Sequence, residues 1–199
     1  MPRKKKLNQR QLDSVDWYKD VLKRFVNKKA SLEYDKKYRR IKEGELLLMA
    51  YPNPKTPLKQ LKFFDAQPLA MLFNTKSKNI FAVNLHYMST PQREIFLKYV
   101  IKLNKNNIRT GKRFTLSWEM INEYLHKNGL AHIAVKQYIK PRIRNIEYIP
   151  YSQWKYAIHL PSERFVFDGE YSHDDITSMV RRAGKKTKSS KNTVSRKKR

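Results

Sequence analysis

Residues 81–93, FAVNLHYMSTPQR, set the tightest limits on how this chain can fold. Phe81, Val83, Leu85 and Tyr87 alternate with Ala82, Asn84, His86 and Met88, the period of a half-buried strand. Ser89 and Thr90 then supply helix N-caps. Pro91 suits a first helical turn, where its missing N–H has no intrahelical partner. The spacing predicts a strand running straight into a helix, with Asn84 and His86 on one strand face. That pair reads either as a catalytic couple or as polar groups that fix how a sheet meets neighbouring chain. No partner motif surrounds it, so the structural reading is preferred, with both residues hydrogen-bonded to the adjoining Pro-rich excursion.

The chain has 199 residues, 40% hydrophobic and 12% aromatic. That suffices for one buried core and is tight for two. A net charge of +27 opposes compaction by self-repulsion, which makes a polyanion the expected partner, nucleic acid first and an anionic membrane second. The absence of cysteine excludes disulfides, thiolate catalysis and thiolate zinc sites. No apolar run reaches membrane-spanning length. The longest, LLLMA at 46–50, suits a strand, and MPRKKKLNQRQLD lacks the apolar segment of a signal peptide. The chain therefore reads as soluble, either intracellular or packaged in a particle; of the two polyanions nucleic acid is the expected partner and a membrane is not.

The charge is uneven. Residues 1–44 hold 15 Lys and Arg against 6 Asp and Glu, residues 45–180 hold 19 against 11, and residues 181–199 hold 10 against none. The division expected is a basic N-terminal arm at 1–11, a single α+β domain at 12–182 and a disordered basic C-terminal arm at 183–199. Val194 is the one aliphatic residue larger than alanine in the tail, too little apolar surface to offset the entropy of ordering. Arg3, Lys4, Lys5 and Lys6 at one end, and Arg181, Arg182, Lys185, Lys186, Lys188, Arg196, Lys197, Lys198 and Arg199 at the other, are expected phosphate contacts. Two other readings of the arms stand beside this, a solubilising tail and a nuclear import signal.

Between the arms the pattern predicts a small sheet and several amphipathic helices. Helical spacing covers 12–29, with Asp13 or Ser14 as cap, and 45–51 reads as a buried strand. Four prolines make 51–73 an extended surface excursion. The helix after Pro91 is expected to align Ile95, Phe96, Tyr99, Val100 and Leu103, followed by a polar loop at 104–113. Further helices are expected at 115–128, capped by Thr115 or Ser117 and stopped at Gly129, and at 131–144. Residues 154–167 read as strand and turn, and 172–184 as a last helix with Ser172 and Asp175 in a capping box.

Clusters that announce an enzyme are thin. His86, His126, His132, His159 and His173 show no metal spacing, and only five glycines occur, none in a phosphate loop. Asp65, Glu94, Glu119 and Glu163 are the candidates for a two-metal nuclease, yet no pair has a diagnostic spacing. The expectation is a protein without catalytic residues, metal or cofactor. Nucleic-acid binding has positive support: Lys136, Lys140, Arg142 and Arg144 gather beside Tyr138, and Arg109, Lys112 and Arg113 precede the helix at 115–128. Tyr138, Tyr148 and Tyr151 are candidates for stacking on unpaired bases or ends, although most tyrosines at helical spacing belong in a core.

Three stretches carry a resemblance. LLLMAYPNPKTPLKQLKFFDAQPLAMLF, FAVNLHYMSTPQREIFL and WKYAIHLPSERF together resemble a family of small virion-associated proteins of T-even-like tailed bacteriophages, that of the DNA end protector. The match spans roughly 45–167, with Asn84-Leu85-His86-Tyr87 its most specific element. Ala82 stands where the family usually has glycine, and Ser89-Thr90 where it has leucine and proline. The resemblance implies a non-catalytic protein of the virion and the infected host's cytoplasm. It would bind double-stranded DNA, shield the termini of packaged linear DNA from exonuclease, and meet head or neck proteins. Alternatives are a head–tail connector without affinity for free DNA and a metal-dependent nuclease.

Overall fold

The computed structural model describes residues 7–27, 41–52, 65–76 and 78–160. Residues 1–6 of the N-terminal arm, the whole C-terminal arm at 183–199, the 53–64 part of the Pro-rich excursion and the expected helix at 172–184 lie outside the described residues. Within them the fold is mixed α+β. Strands β1 (Leu46–Met49), β2 (Leu69–Asn74), β3 (Asn79–Asn84), β4 (Val135–Ile139) and β5 (Ile146–Ile149) form one antiparallel sheet in the order β4-β3-β2-β1-β5. Five helices accompany it: α1 (Gln9–Asn27), α2 (Thr90–Leu103), α3 (Lys105–Arg109), α4 (Trp118–Lys127) and α5 (Trp154–His159).

The apolar runs follow from burial of both sheet faces, which removes the need for alternation. Leu46, Leu48, Leu69, Met71, Val83 and Ile149 point into a core shared with Tyr18, Phe96, Leu125 and Trp154 of the helices. Leu47, Met49, Ala70, Leu72, Ile80 and Ala82 lie on the opposite face with Tyr51, Tyr138 and Ile143. α5 packs against both α1 and α2. Arg93 of α2, 1% exposed, donates from Nη1 to Ala157 O at 2.9 Å and so ties α2 to α5 from inside the core.

Several expectations are corrected. α1 begins at Gln9, inside the stretch assigned to the N-terminal arm, because Asn8 and Gln11 exchange side-chain-to-backbone bonds of 3.0 and 3.1 Å that start the helix a turn early. The excursion at 51–73 contains β2, whose PLAMLF run satisfies its backbone by pairing with β1 and β3. Residues 131–144 hold β4 and a 3-10 turn (Lys140–Arg142) rather than a helix. Gly129, at φ 67°, ends α4 and redirects the chain so that VKQYI pairs with β3. Trp154–His159 is helical, not a strand, while 161–167 lies outside the described residues. The polar loop at 104–113 contains α3. On α2 the inward face is Arg93, Phe96, Leu97 and Val100, leaving Ile95 and Leu103 exposed. Ser89 is the α2 N-cap in a capping box with Gln92, and Ser117 is the N-cap residue of α4.

Candidate functional site

β3 stops at Asn84, and Leu85–Tyr87 form a 3-10 turn before α2. His86 is therefore not on the strand face, but it reaches the same partner as Asn84. Asp65 Oδ2 accepts from Asn84 Nδ2 at 2.8 Å and lies 2.9 Å from His86 Nδ1. Because an ionised carboxylate only accepts, Nδ1 carries the hydrogen. Asp65 Oδ1 accepts from Gln67 N at 3.0 Å, and Asn84 Oδ1 accepts from His86 N at 2.9 Å. Asp65 lies within the Pro-rich excursion, so the pair does bond that segment, as its lack of a partner motif suggested. All three residues are buried, at 5%, 0% and 1% exposure for Asp65, Asn84 and His86.

Around this carboxylate the tyrosines and a lysine respond electrostatically. Burial, then the Asp65 charge, pushes the Tyr18, Tyr87 and Tyr138 phenols above their ordinary range. The Lys136 ammonium lies 4.2 Å above the Tyr87 ring; burial pulls its pKa down to about 8 against the opposing pull of Asp65. The unfolded chain thus holds the Lys136 proton more tightly than the folded one, so stability rises with pH from about 8 toward the ordinary lysine value. The tyrosines act the other way above their ordinary value, ionising first in the unfolded chain. Urea midpoints should climb between pH 8 and pH 9.5 in the wild type. The Lys136→Met variant should lack that rise, and an equal climb in both would reject the assignment.

The nuclease candidates are dispersed. Asp65 is spent on Asn84 and His86. Glu94 is exposed, 2.7 Å from Lys98, whose hydrogen bond and charge hold its carboxyl below the usual range. Glu119 caps its own helix region, its carboxyl lowered by its backbone N–H and by Ser117. Glu163 lies outside the described residues. Among the described residues no three His, Asp or Glu side chains converge as metal ligands, and no helix is long and apolar enough to cross a membrane.

The basic candidates divide into two groups. Those on β4 and in the 3-10 turn that follows it are partly covered: Lys136 lies over Tyr87, Lys140 donates to Thr75 O, and the neighbouring Tyr138, 5% exposed, offers no free face. Arg142 is half-buried and Arg144 exposed. Arg109, Lys112 and Arg113, by contrast, stand on a solvent-facing corner where α2, α3 and the following segment meet. Asn104, 1% exposed, knits that corner. Its Nδ2 donates to Val100 O at 3.0 Å and Thr115 O at 2.9 Å; its Oδ1 accepts from Thr115 N at 2.8 Å and Asn107 Nδ2 at 3.1 Å. Lys102 and Lys105, absent from the sequence-based candidates, join the same surface. No Asp or Glu occurs between Glu94 and Glu119, a signal that would have found them. Among the described residues none of Lys102, Lys105, Arg109, Lys112 and Arg113 has a carboxylate within ion-pair distance. Arg113 continues into an open cleft of about 380 Å³ shared with Lys42, Lys76, Glu43 and Ser117.

No protein-family model, curated protein or solved structure matches this chain.

Proposed function

We propose that this protein is a non-catalytic double-stranded DNA-binding protein of a tailed-phage particle that holds duplex through its phosphates. The α2–α3 corner is the folded contact surface. One observation carries the reading: five exposed Lys and Arg residues without carboxylate partners among the described residues, on a backbone fixed by buried Asn104, in a chain of net charge +27. Fixed cations contact phosphates with less loss of side-chain and loop freedom than cations on an unstructured chain. Phosphate contacts carry no sequence information, so binding through this corner is expected to be indifferent to sequence. The Asp65 network fits the same reading, since it consumes in packing the Asn and His that would otherwise suggest chemistry. Shielding of DNA termini is the biological role supported by the three resembling stretches.

The test is a salt series on a blunt duplex by fluorescence anisotropy. Each neutralised phosphate contact contributes about 0.9 to the slope of log affinity against log salt. The variant with Lys102, Lys105, Arg109 and Lys112 all changed to Gln should flatten that slope by about 3 to 4 and bind all duplex sequences more weakly. An unchanged slope, or no binding by the wild type, rejects the proposal. Exonuclease challenge of linear against circular duplex of equal length then separates terminal shielding from general coating.

A further inference from the structure

The corner continues into an aromatic surface. Phe114 directly follows Lys112 and Arg113, and its ring joins Tyr151 and Trp154 in a cluster. Centroid separations are 5.4 Å for Phe114–Tyr151, 4.8 Å for Phe114–Trp154 and 5.4 Å for Tyr151–Trp154. Trp154 is buried, and its Nε1–H donates to Ile149 O at 3.2 Å, so it forms a fixed wall. Tyr151 meets that wall edge-on, at 84°, and stays 43% exposed. A ring held by two neighbours yet open to solvent loses little freedom when a second flat group stacks on it. Lys112 and Arg113 immediately precede Phe114, and Lys155 immediately follows Trp154.

The ligand this surface fits combines a flat aromatic ring with a phosphate. Inside a duplex each base is covered by its neighbours and shows only its edge. A terminal pair offers one face, and an unpaired nucleotide can also turn to meet the ring, so a stacking face serves unpaired nucleotides best. We propose that the open face of Tyr151 is a stacking site for an unpaired base of a nucleic acid whose phosphates lie along the corner. This rests on the phosphate-binding reading above and adds to its ligands nucleic acid with a single-stranded segment.

The experiment titrates the full-length protein against a labelled oligothymidylate of about 16 nucleotides and a blunt duplex of equal length at one salt concentration. Tyr151→Ala should weaken oligothymidylate binding roughly tenfold while leaving the duplex within about twofold. Tyr151→Phe should restore the single-strand affinity. Tyr151→Leu, which keeps an apolar contact with Trp154 but offers no ring, should behave as the alanine variant does. Equal losses on both probes, no loss on either, or full affinity in the leucine variant would overturn the stacking site and leave the phosphate reading standing. Failure of the unsubstituted protein to bind either probe would overturn both.

Discussion

Replacing Asp65 by alanine should lower the free energy of unfolding by about 3 to 5 kcal/mol, the cost of removing one partner from a buried charged network. The carboxylate is the shared acceptor of Asn84 Nδ2 and His86 Nδ1 and also takes the Gln67 backbone N–H. Asn84 and His86 are 0% and 1% exposed, so water cannot replace it without opening the fold. Each donor left without an acceptor costs about 1 to 3 kcal/mol. The loss is large against a total stability of about 5 to 15 kcal/mol. Asp65→Asn should cost less, because the amide keeps one acceptor oxygen while setting its NH2 against a donor. Urea unfolding followed by tryptophan fluorescence measures both. A change under about 0.5 kcal/mol for Asp65→Ala would show that the network is not the keystone it looks to be. If the network is structural, folded Asp65→Asn should bind duplex as the wild type does, whereas a ligand-binding carboxylate would not leave binding untouched.

The same network shows what sequence pattern reaches and where it stops. Alternation in FAVNLHY gives β3, and the want of a partner motif points Asn84 and His86 toward the Pro-rich excursion; both are local signals. That the chain leaves the strand at Asn84 is not local, because the 3-10 turn is fixed by the His86 N to Asn84 Oδ1 bond and by Asp65, 21 residues before His86. VKQYI is short enough to continue a helical pattern on paper, and only pairing with β3 selects the strand. Once it is a strand, Lys136 lies opposite Ala82 on a buried face, so the cation faces Tyr87 rather than solvent. WKYAIH has the rings and branching of a strand, yet Trp154 and Ala157 at helical spacing fill the gap between α1 and α2. The cations of the corner are legible as composition. Their rigidity is not, because it comes from Asn104 bonding Thr115, 11 residues away, through a side chain that looks like ordinary loop sequence.

Gly44→Ala should destabilise the fold by about 3 kcal/mol or more. Two separate penalties add. Gly44 has φ +84°, a backbone conformation that costs an L residue with a Cβ about 1 to 2 kcal/mol. The added Cβ would also stand 2.5 Å from Phe114 O and 2.9 Å from Thr115 N. Those are backbone atoms, and Thr115 N is already held by Asn104 Oδ1 at 2.8 Å. The segment cannot yield without breaking the knot that fixes the corner, and overpacking of this kind costs about 1 to 3 kcal/mol more. Gly111 isolates the terms, since it has φ +64° and nothing within 4 Å of an added Cβ. Gly111→Ala should therefore show only the conformational penalty, with Gly44→Ala lower in stability by a further ~2 kcal/mol. The two also part in function. Because displacement at Gly44 moves the peptide that follows Arg113, Gly44→Ala should flatten the salt dependence of duplex binding even where it remains folded, and Gly111→Ala should not. Equal urea midpoints for the two variants would mean that the Phe114 segment moves freely, and that the corner is not the fixed surface on which phosphate binding depends.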